Sequence, residues 1–329
     1  MVVRSKMHLV PRLKTAPPLL EGLVRLHFHA RGTIRNLFIE PLPALPPLQD
    51  DEALLCVRAV GLNFRDVLNV LGEYPGDPGP PGGDVSGITS RADHSADDAP
   101  ASAAFGLGYA PLASLCRAIA SVLARKPVTL SFEQACTVPV TWSTSHVALE
   151  RAQLCARRSI IVQAAAGGVG LKAVEYAQWL LAATVGTAGQ PHKHAQLRQM
   201  SVQSLCSSRD GSAFAVGTTW LLTARRSHAV LNSLSLDFLS VSFASLGELG
   251  ALEEIGKRGI WAFDRQAAAA PATAYCAIAL DHNMTHNPAW MHGVLQVLSA
   301  HAAATVLTSL PLRSFDMERQ HELAFRTLQ

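Results

Sequence analysis

The segment that most constrains the fold runs from Ser159 to Ala183, SIIVQAAAGGVGLKAVEYAQWLLAA, and consists of a β-type run, a glycine-rich turn and a helical pattern. Ala165, Gly167 and Gly170 have the G-x-G-x-x-G spacing with alanine in the first place. Small residues at this spacing let the chain turn tightly and let its backbone approach a pyrophosphate. The helix start then offers N–H groups to the anion. The segment predicts a dinucleotide-binding turn, with an ordinary tight turn as the alternative.

The residues after the turn have the spacing of an amphipathic helix, which predicts that this helix packs on a sheet. Its apolar face comprises Ala173, Val174, Ala177, Leu180 and Leu181, and its polar face comprises Lys172, Glu175 and Gln178. We expect the turn and the start of the helix to bind the cofactor through Ala165, Ala166, Gly167, Gly168, Val169 and Gly170.

The second β-type run indicates which nicotinamide cofactor is bound. An NAD site would place Asp or Glu near the end of this run, yet the stretch from Thr184 to Arg198 contains no acidic residue. We expect Thr187 and Lys193 to contact the cofactor, and His192 and His194 flank that lysine. A cation here suits the 2′-phosphate of NADPH through charge-assisted hydrogen bonds, although the solvated face of a surface helix is the alternative. The sequence predicts NADPH binding in preference to NADH.

Patterns along the chain divide it into three regions. In the first, short β-type runs alternate with proline and glycine clusters, which is typical of a compact β unit. In the second, β-type runs alternate with helix-length segments, which predicts a parallel, doubly wound sheet. The third contains a helical pattern and is expected to return to the first. The predicted fold class is α/β, with a β-rich substrate domain over 1–140, a Rossmann domain over 141–304 and a C-terminal return over 305–329.

Composition excludes several other classes of protein. Only 16% of the residues are charged, the net charge is +3, and the basic residues are scattered, so neither a nucleic-acid surface nor a membrane surface is expected. The charge-free apolar stretch from Ala267 to Leu280 has 14 residues, fewer than the ~20 that span a bilayer as a helix. Prolines and basic residues interrupt the N-terminus before a signal-length apolar core, so we expect a soluble, cytoplasmic protein. We also expect its cysteines to be buried free thiols, namely Cys56, Cys116, Cys136, Cys155, Cys206 and Cys276.

Several long stretches carry a resemblance to a known family. They are VRAVGLNFRDVLNVLGEYPGDPGPPGGDVSG (57–87), LSFEQACTVPVTWSTSHVALE (130–150), the glycine-rich turn, HAVLNSLSLDFL (228–239) and EEIGKRGIW (253–261). The chain resembles the zinc-independent, quinone oxidoreductase-like medium-chain reductases, and above all the enoyl reductase domain of type I polyketide synthases. The resemblance implies a GroES-like substrate domain followed by a Rossmann domain.

The resemblance also implies an activity and its partners. Hydride would pass from NADPH to the β carbon of a 2-enoyl thioester carried by an acyl carrier protein, beside neighbouring domains of a megasynthase. A homodimer is left open. A free-standing NADPH quinone or alkenal reductase is the first alternative, and a non-catalytic structural domain of a megasynthase is the second.

Metal-dependent relatives carry a histidine and a cysteine at positions that correspond here to Pro-Gly-Gly-Asp (81–84) and Asn-Phe-Arg-Asp (63–66). Neither ligand type is present at these positions. No compact cysteine or histidine spacing typical of a zinc site occurs elsewhere. We therefore expect no catalytic metal.

Reduction of an enoyl thioester requires positive charge or donors near the thioester oxygen and an acid for the α carbon. The resemblance gives Lys257, in EEIGKRG, the part of proton donor or enolate stabiliser. Asp281 matches an acidic residue that the family places near this lysine, and Tyr74 matches a tyrosine that is tied to α-carbon protonation. The alternatives are an exposed lysine on a turn, a helix cap and an aromatic side chain packed on prolines. Solvent water could also serve as the acid.

The resemblance adds further cofactor contacts. Asn63, Arg65 and Thr141 match positions that line the nicotinamide end, and Asn232 and Ser233 are expected near the cofactor ribose or amide. For each of the five, a structural hydrogen bond to a nearby loop is the alternative.

The chain departs from the family pattern at two places. After Gly87 it has TSRADHSADDAPASAAFG (89–106) where the family has a glycine-containing turn and a Pro-Gly-Asp loop, which predicts altered barrel geometry there. It also stops near the point where the family has a glycine-rich turn and a last strand. We expect a domain excised from, or truncated within, a longer polypeptide, with an unpaired strand edge that weakens the barrel.

Overall fold

The first part of the chain forms antiparallel β-structure in the computed structural model, which describes residues 22–90, 102–222, 226–234, 237–257 and 259–328. Two strands form a hairpin, and five others form a curled sheet in the order β6-β3-β4-β5-β7. The strands are β1 Val24–Phe28, β2 Leu37–Pro41, β3 Glu52–Gly61, β4 Asp84–Ser90, β5 Ala103–Leu107, β6 Leu115–Ile119 and β7 Leu123–Arg125. Proline and glycine clusters end these short strands, as expected for turns. This is the predicted GroES-like unit.

Strands β4 and β5 flank the stretch in which the sequence departs from the family pattern. They pair antiparallel from Asp84 with Leu107 to Ile88 with Ala103, without a shift in register. Residues 91–101 lie outside the described part of the chain. The ladder is therefore regular where these two strands pair, and the altered barrel geometry stays a prediction.

The second part forms a six-stranded sheet in which every neighbouring pair is parallel, in the order β10-β9-β8-β11-β12-β13. Numbered from the first strand of the sheet, this order is 3-2-1-4-5-6, the arrangement of dinucleotide-binding folds. The strands are β8 Ser159–Val162, β9 Ala183–Ala188, β10 Ser204–Ser207, β11 Ser227–Asn232, β12 Leu246–Glu254 and β13 Ala274–Ala277. The prediction of a Rossmann sheet beside a β-rich unit is confirmed.

Helices connect the strands of the parallel sheet and link the two sheets. They are α1 Phe64–Leu71, α2 Phe132–Ala135, α3 Pro139–Arg151, α4 Gly168–Trp179, α5 Pro191–Gln199, α6 Gly211–Leu221, α7 Asp237–Ser245, α8 Phe263–Ala269, α9 Leu280–His286, α10 Pro288–Ala303 and α11 Met317–Leu328. Within the described ranges, no helix combines the length and the apolar character that crossing a membrane requires.

Helix α4 buries most of the apolar face expected from its spacing, since Ala173, Val174 and Ala177 are fully buried. The burial of Leu181 and of Lys172 differs from the prediction. Leu181 is 76% exposed, because the helix ends at Trp179 and the chain turns through a positive φ of 58° at Leu181. Lys172 was expected on the polar face but is only 2% exposed, because a segment far along the chain covers it.

The end of the chain contacts the antiparallel sheet. Ser299 of α10 donates through Oγ to the Arg125 carbonyl at 2.9 Å, and Thr129 Oγ1 donates to the Ala302 carbonyl at 3.1 Å. Phe325 of α11 is 1% exposed and packs in a cluster with Leu26, Val67 and their neighbours. These contacts hold the two sheets beside a common cleft.

The cysteines are all free, as expected, but they are not all buried. Cys116, Cys136 and Cys206 are buried, whereas Cys155 is exposed. Burial raises the pKa of the Cys116 and Cys136 thiols to about 12, so these two side chains stay protonated at neutral pH and belong to the core. Cys155 lies in the loop after α3, where the polar sequence leaves it in solvent.

Candidate active site

A cleft of about 2400 Å³ lies between the two sheets. It brings together most of the residues that the sequence singled out, from segments far apart in the chain. The lining includes Asn63, Arg65, Tyr74, Thr141, Ala166, Gly167, Gly168, Val169, Gly170, Lys193, Ser233, Lys257 and Asp281. A large cleft that collects a few polar groups is where a cofactor and substrate are expected to bind.

The glycine-rich turn between β8 and α4 is held by hydrogen bonds from β9. The Ala165 N–H donates to the Thr187 carbonyl at 2.8 Å, and the Ala164 N–H donates to Thr187 Oγ1 at 2.9 Å. Thr187 Oγ1 in turn donates to Gln163 Oε1 at 2.9 Å. Ala165 and Thr187 are themselves fully buried. The structure therefore places these two residues beneath the turn, where they shape it, and not in the cleft.

The first turn of α4 fits a dinucleotide diphosphate. A β-carbon added at Gly170 would lie 2.6 Å from the Ala164 oxygen and 2.6 Å from Ala165 Cα, so only glycine lets the helix approach the strand this closely. The N–H groups of Gly168, Val169 and Gly170 are in the helical turn that has no intrahelical acceptors. All three residues line the cleft, and N–H groups at a helix start are suited to binding an anion.

Two basic side chains lie beyond the ends of β9 and β10, the strands that follow the glycine-rich turn. Lys193, in the first turn of α5, lines the cleft. Arg209, the second residue after β10, lies against Gly189, because a β-carbon added at Gly189 would lie 2.5 Å from its Nε. Arg209 was not predicted from the sequence; its signal was a basic residue just beyond the third strand of the sheet. His194, by contrast, is engaged with the Ala188 carbonyl at 2.8 Å.

Three of the predicted residues meet on the opposite side of the cleft. Lys257 follows β12, Asp281 is in the first turn of α9, and Tyr74 follows α1. The Tyr74 hydroxyl donates to Asp281 Oδ2 at 3.3 Å, although 207 residues separate the two. Lys257 Nζ lies 4.0 Å from Asp281 Oδ1. The carboxylate thus contacts both candidate donors.

The surroundings of Tyr74 keep its hydroxyl protonated. Burial is the main cause that raises the pKa of this phenol, and the nearby Asp281 carboxylate raises it further. The Arg65 guanidinium carbon lies 5.3 Å from the centre of the Tyr74 ring, and one of its NH groups donates to the Pro78 carbonyl at 3.1 Å. Arg65 therefore supports the tyrosine and its loop as well as lining the cleft.

Asn63 faces two buried carboxyl groups. Its Nδ2 donates to Asp84 Oδ2 at 2.9 Å, and its backbone N–H donates to Asp66 Oδ2 at 2.7 Å. The Val140 N–H, at the start of α3, donates to Asp84 Oδ1 at 3.0 Å. Burial raises the pKa of Asp84 to about 8 and also raises the pKa of Asp66.

Across the described ranges, no group of three or more His, Cys, Asp or Glu side chains could hold a metal ion.

The remaining predicted cofactor contacts differ in their placement. Thr141 and Ser233 line the cleft, while their hydroxyls donate to the Thr137 carbonyl at 2.9 Å and to the Gln163 carbonyl at 3.4 Å. Asn232 is fully buried. Its Nδ2 donates to the Leu234 carbonyl at 2.7 Å and to Glu254 Oε2 at 2.6 Å. The structure gives Asn232 a supporting position at the end of β11.

Glu254, at the end of β12, was not singled out from the sequence. It is 1% exposed, and its Oε1 accepts from the Gly256 N–H at 2.6 Å. Burial raises the pKa of this carboxyl group to about 7. Together with Asn232 it shapes the turn that leads to Lys257.

Comparison with known sequences gives polyketide synthases. Erythronolide synthase EryA2 of Saccharopolyspora erythraea is 36% identical over 257 residues, which are 75% of this chain and 7% of the synthase. The spectinabilin polyketide synthase system protein NorB of Streptomyces orinoci is 33% identical over 344 residues, an alignment that covers 100% of this chain and 15% of NorB. The chain spans between 5% and 20% of the length of relatives of this kind. No protein-family model matches it.

Comparison with solved structures gives enoyl reductases. The CurK enoyl reductase has a TM-score of 0.85 at 28% identity, over 93% of this chain and 95% of CurK. A mycobacterial protein, Rv1454c, solved in complex with NADPH, has a TM-score of 0.81 at 21% identity, over 93% of this chain and 96% of that protein. At that identity the second likeness concerns the fold alone. The chain is therefore a homologue of the polyketide synthases over most of its length, and it has the fold of the CurK enoyl reductase, which is also the fold of the quinone oxidoreductase-like, medium-chain dehydrogenase/reductases.

Proposed function

We propose that this chain catalyses the NADPH-dependent reduction of the 2,3 double bond of an enoyl thioester carried on an acyl carrier protein, during polyketide assembly. The observation that carries the proposal is the convergence of Tyr74, Asp281 and Lys257 in the cleft that also contains the anion-binding start of α4. The polyketide synthase relatives support the carrier-bound substrate and the neighbouring domains. The likeness to CurK supports the reaction type.

The cofactor would supply hydride to the β carbon of the substrate. As that bond forms, the π pair of the 2,3 double bond moves to the bond between the α carbon and the carbonyl carbon, and the carbonyl π pair moves to the thioester oxygen, which leaves an enolate. The Lys257 ammonium would stabilise this developing negative charge. The α carbon then takes a proton, which completes the saturated thioester.

The contacts favour Lys257 as the source of that proton. Tyr74 directs its hydroxyl hydrogen to Asp281, because a carboxylate oxygen only accepts. Asp281 therefore orients the tyrosine and holds the lysine nearby at 4.0 Å. Lys257 has three hydrogens on its ammonium group, so it can point one at the substrate while another faces the carboxylate.

The charge around the turn supports NADPH over NADH. Lys193 lines the cleft, Arg209 lies beside Gly189 after β9, and the stretch from Thr184 to Arg198 contains no carboxylate. A 2′-phosphate would gain charge-assisted hydrogen bonds there. A ribose 2′-hydroxyl would find no acidic acceptor in that stretch.

A steady-state assay of NADPH oxidation with a crotonyl thioester tests the proposal. We expect Lys257→Met to lower kcat by about 10²- to 10⁴-fold, the usual contribution of a general acid, without a change in the Kd of NADPH. Asp281→Asn should lower kcat less, and the double variant should resemble Lys257→Met. The matched control is Asp264→Asn, which changes an exposed carboxylate in α8.

An undiminished rate in the Lys257→Met/Asp281→Asn double variant would remove both residues from the mechanism. A larger kcat/KM for a small quinone than for the thioester would favour a free-standing quinone reductase. If the wild-type chain fails to bind NADPH in a fluorescence titration, a non-catalytic structural domain is the better conclusion.

A further inference from the structure

Lys172 is a buried cation on the helix that starts at the glycine-rich turn. Its side chain is 3% exposed, and its ammonium pairs with the Glu175 carboxylate one turn along α4. Nζ also donates to the Thr308 carbonyl at 2.8 Å. Because a buried charge is costly unless it is paired and hydrogen-bonded, these two partners explain how a lysine is accommodated on the inner side of the helix.

Glu175 also binds Thr308. Its Oε1 accepts from the Thr308 N–H at 2.8 Å and from Thr308 Oγ1 at 2.6 Å. The Lys172–Glu175 pair therefore engages the N–H, the carbonyl and the hydroxyl of Thr308. An ion pair that binds all three polar groups of one residue is a clamp on that residue's backbone.

The clamp fixes the segment after Thr308. Leu310 lies two residues on, and its N–H donates to Thr137 Oγ1 at 3.2 Å. A β-carbon added at Gly168 would lie 3.3 Å from Leu310 Cδ1, so Leu310 covers the first residue of α4. From there the chain lines the cleft through Leu310, Pro311, Leu312, Arg313, Ser314 and Phe315.

We propose that the Lys172–Glu175 pair positions the segment from Leu307 to Phe315 against the start of α4, so that Leu310 forms a wall of the diphosphate site and cofactor binding is coupled to the order of this segment. The inference rests on the proposed function, because the anion at the start of α4 is taken to be the cofactor diphosphate. Lys172 and Glu175 act through Thr308 and Leu310, and are positioning residues.

The test uses the double variant Lys172→Met/Glu175→Leu, which removes both charges together and leaves no unpaired buried ion. Apolar replacement of a buried pair is often neutral for stability, so the variant should fold. The matched control is Arg25→Met/Glu40→Leu, which removes an ion pair between β1 and β2 that does not line the cleft, with side chains 36% and 28% exposed. The readouts are hydrogen–deuterium exchange of the peptide over 305–312, the Kd of NADPH, and thermal unfolding.

In the double variant we expect exchange of the 305–312 peptide to accelerate and the Kd of NADPH to rise about tenfold, a coupling of ordinary size. In the control variant both should equal wild type. NADPH should also slow exchange of this peptide in wild type more than in the double variant. A variant that folds with unchanged exchange and unchanged Kd would overturn the proposal.

Failure of the proposed function and failure of the proposed coupling give different results. If wild type binds no NADPH, the proposed function and the coupling both fall, whereas exchange at Thr308 still decides whether the pair holds the segment. If wild type binds NADPH and only the exchange changes in the double variant, the clamp is structural and the coupling is wrong. The variant Thr308→Ser keeps all three contacting groups, so it should equal wild type in both exchange and Kd.

Discussion

Replacing Gly170 with alanine tests the close approach on which the cofactor site depends. The added methyl group would lie 2.6 Å from the Ala164 oxygen and 2.6 Å from Ala165 Cα, both of them backbone atoms that no side-chain rotation can move. Forcing extra volume into a packed site costs about 1–3 kcal/mol. Alanine in a helix gains about 1 kcal/mol over glycine. We expect Gly170→Ala to lower the free energy of unfolding by up to about 2 kcal/mol.

The larger effect should be on binding. To relieve the contact, the start of α4 must move away from the turn, and its N–H groups then no longer converge on one anion. A hydrogen bond to a charged group contributes about 1.5–3 kcal/mol, so losing one raises the Kd of NADPH by about 10- to 150-fold. A fluorescence titration measures the Kd, and denaturant unfolding measures the stability.

Gly293 is the matched control, and Gly168 is an intermediate case. At Gly293, in α10, an added β-carbon would meet nothing within 4 Å, so Gly293→Ala should stabilise the protein by up to about 1 kcal/mol and leave the Kd unchanged. At Gly168 the neighbours are Thr141 Cγ2 at 3.1 Å and Leu310 Cδ1 at 3.3 Å, side-chain ends that can shift, so an intermediate effect is expected. If Gly170→Ala binds NADPH as tightly as Gly293→Ala, the reasoning from the close approach is refuted.

Two further predictions concern charge. Arg209→Ala should raise the Kd of NADPH by about tenfold or more, the loss of one charged hydrogen bond, and leave the Kd of NADH unchanged; an equal loss for both cofactors in parallel titrations would place the arginine elsewhere than at the 2′-phosphate. Glu253→Gln should change the pH dependence of stability. The Glu253 side chain is 5% exposed, and burial raises its pKa to about 7 from 4.5, so its stabilising contribution is complete below pH 4.5 and is lost as the pH rises through 7. The variant should therefore gain up to about 3 kcal/mol over wild type between pH 5 and pH 8, measured by denaturant unfolding, and identical pH profiles would contradict this.

The parts of the fold that depend on local pattern could be predicted from the sequence. The turn at Ala165 to Gly170 is defined by small residues at fixed spacing, and the alternation of strands with helices predicts a parallel sheet without any knowledge of distant contacts. Strand β13 could not be predicted from the sequence, because its four residues lie within the charge-free apolar stretch from Ala267 to Leu280. A short apolar run does not distinguish a strand from a buried helix.

The details of the site depend on contacts that local patterns do not contain. Lys172 is buried because Thr308, 136 residues away, accepts its hydrogen bond, and helical periodicity carries no information about such a partner. Thr187 and Asn232 were expected to contact the cofactor but are fully buried. Hydrogen bonds with Ala164, Gln163 and Glu254, which no local pattern contains, hold their side chains. Arg209 became a candidate only when β9 and β10 were seen side by side.

Tyr74 lies in the loop after α1 and Asp281 lies in α9, and a hydrogen bond of 3.3 Å joins their side chains. Any movement that separates these two elements to admit a bulkier acyl chain must stretch this bond. A bulkier substrate would then misalign the groups that deliver the proton to the α carbon. Branching near the double bond should therefore lower kcat more than it raises KM. The length of this hydrogen bond therefore limits the bulk of the acyl chain that reacts efficiently.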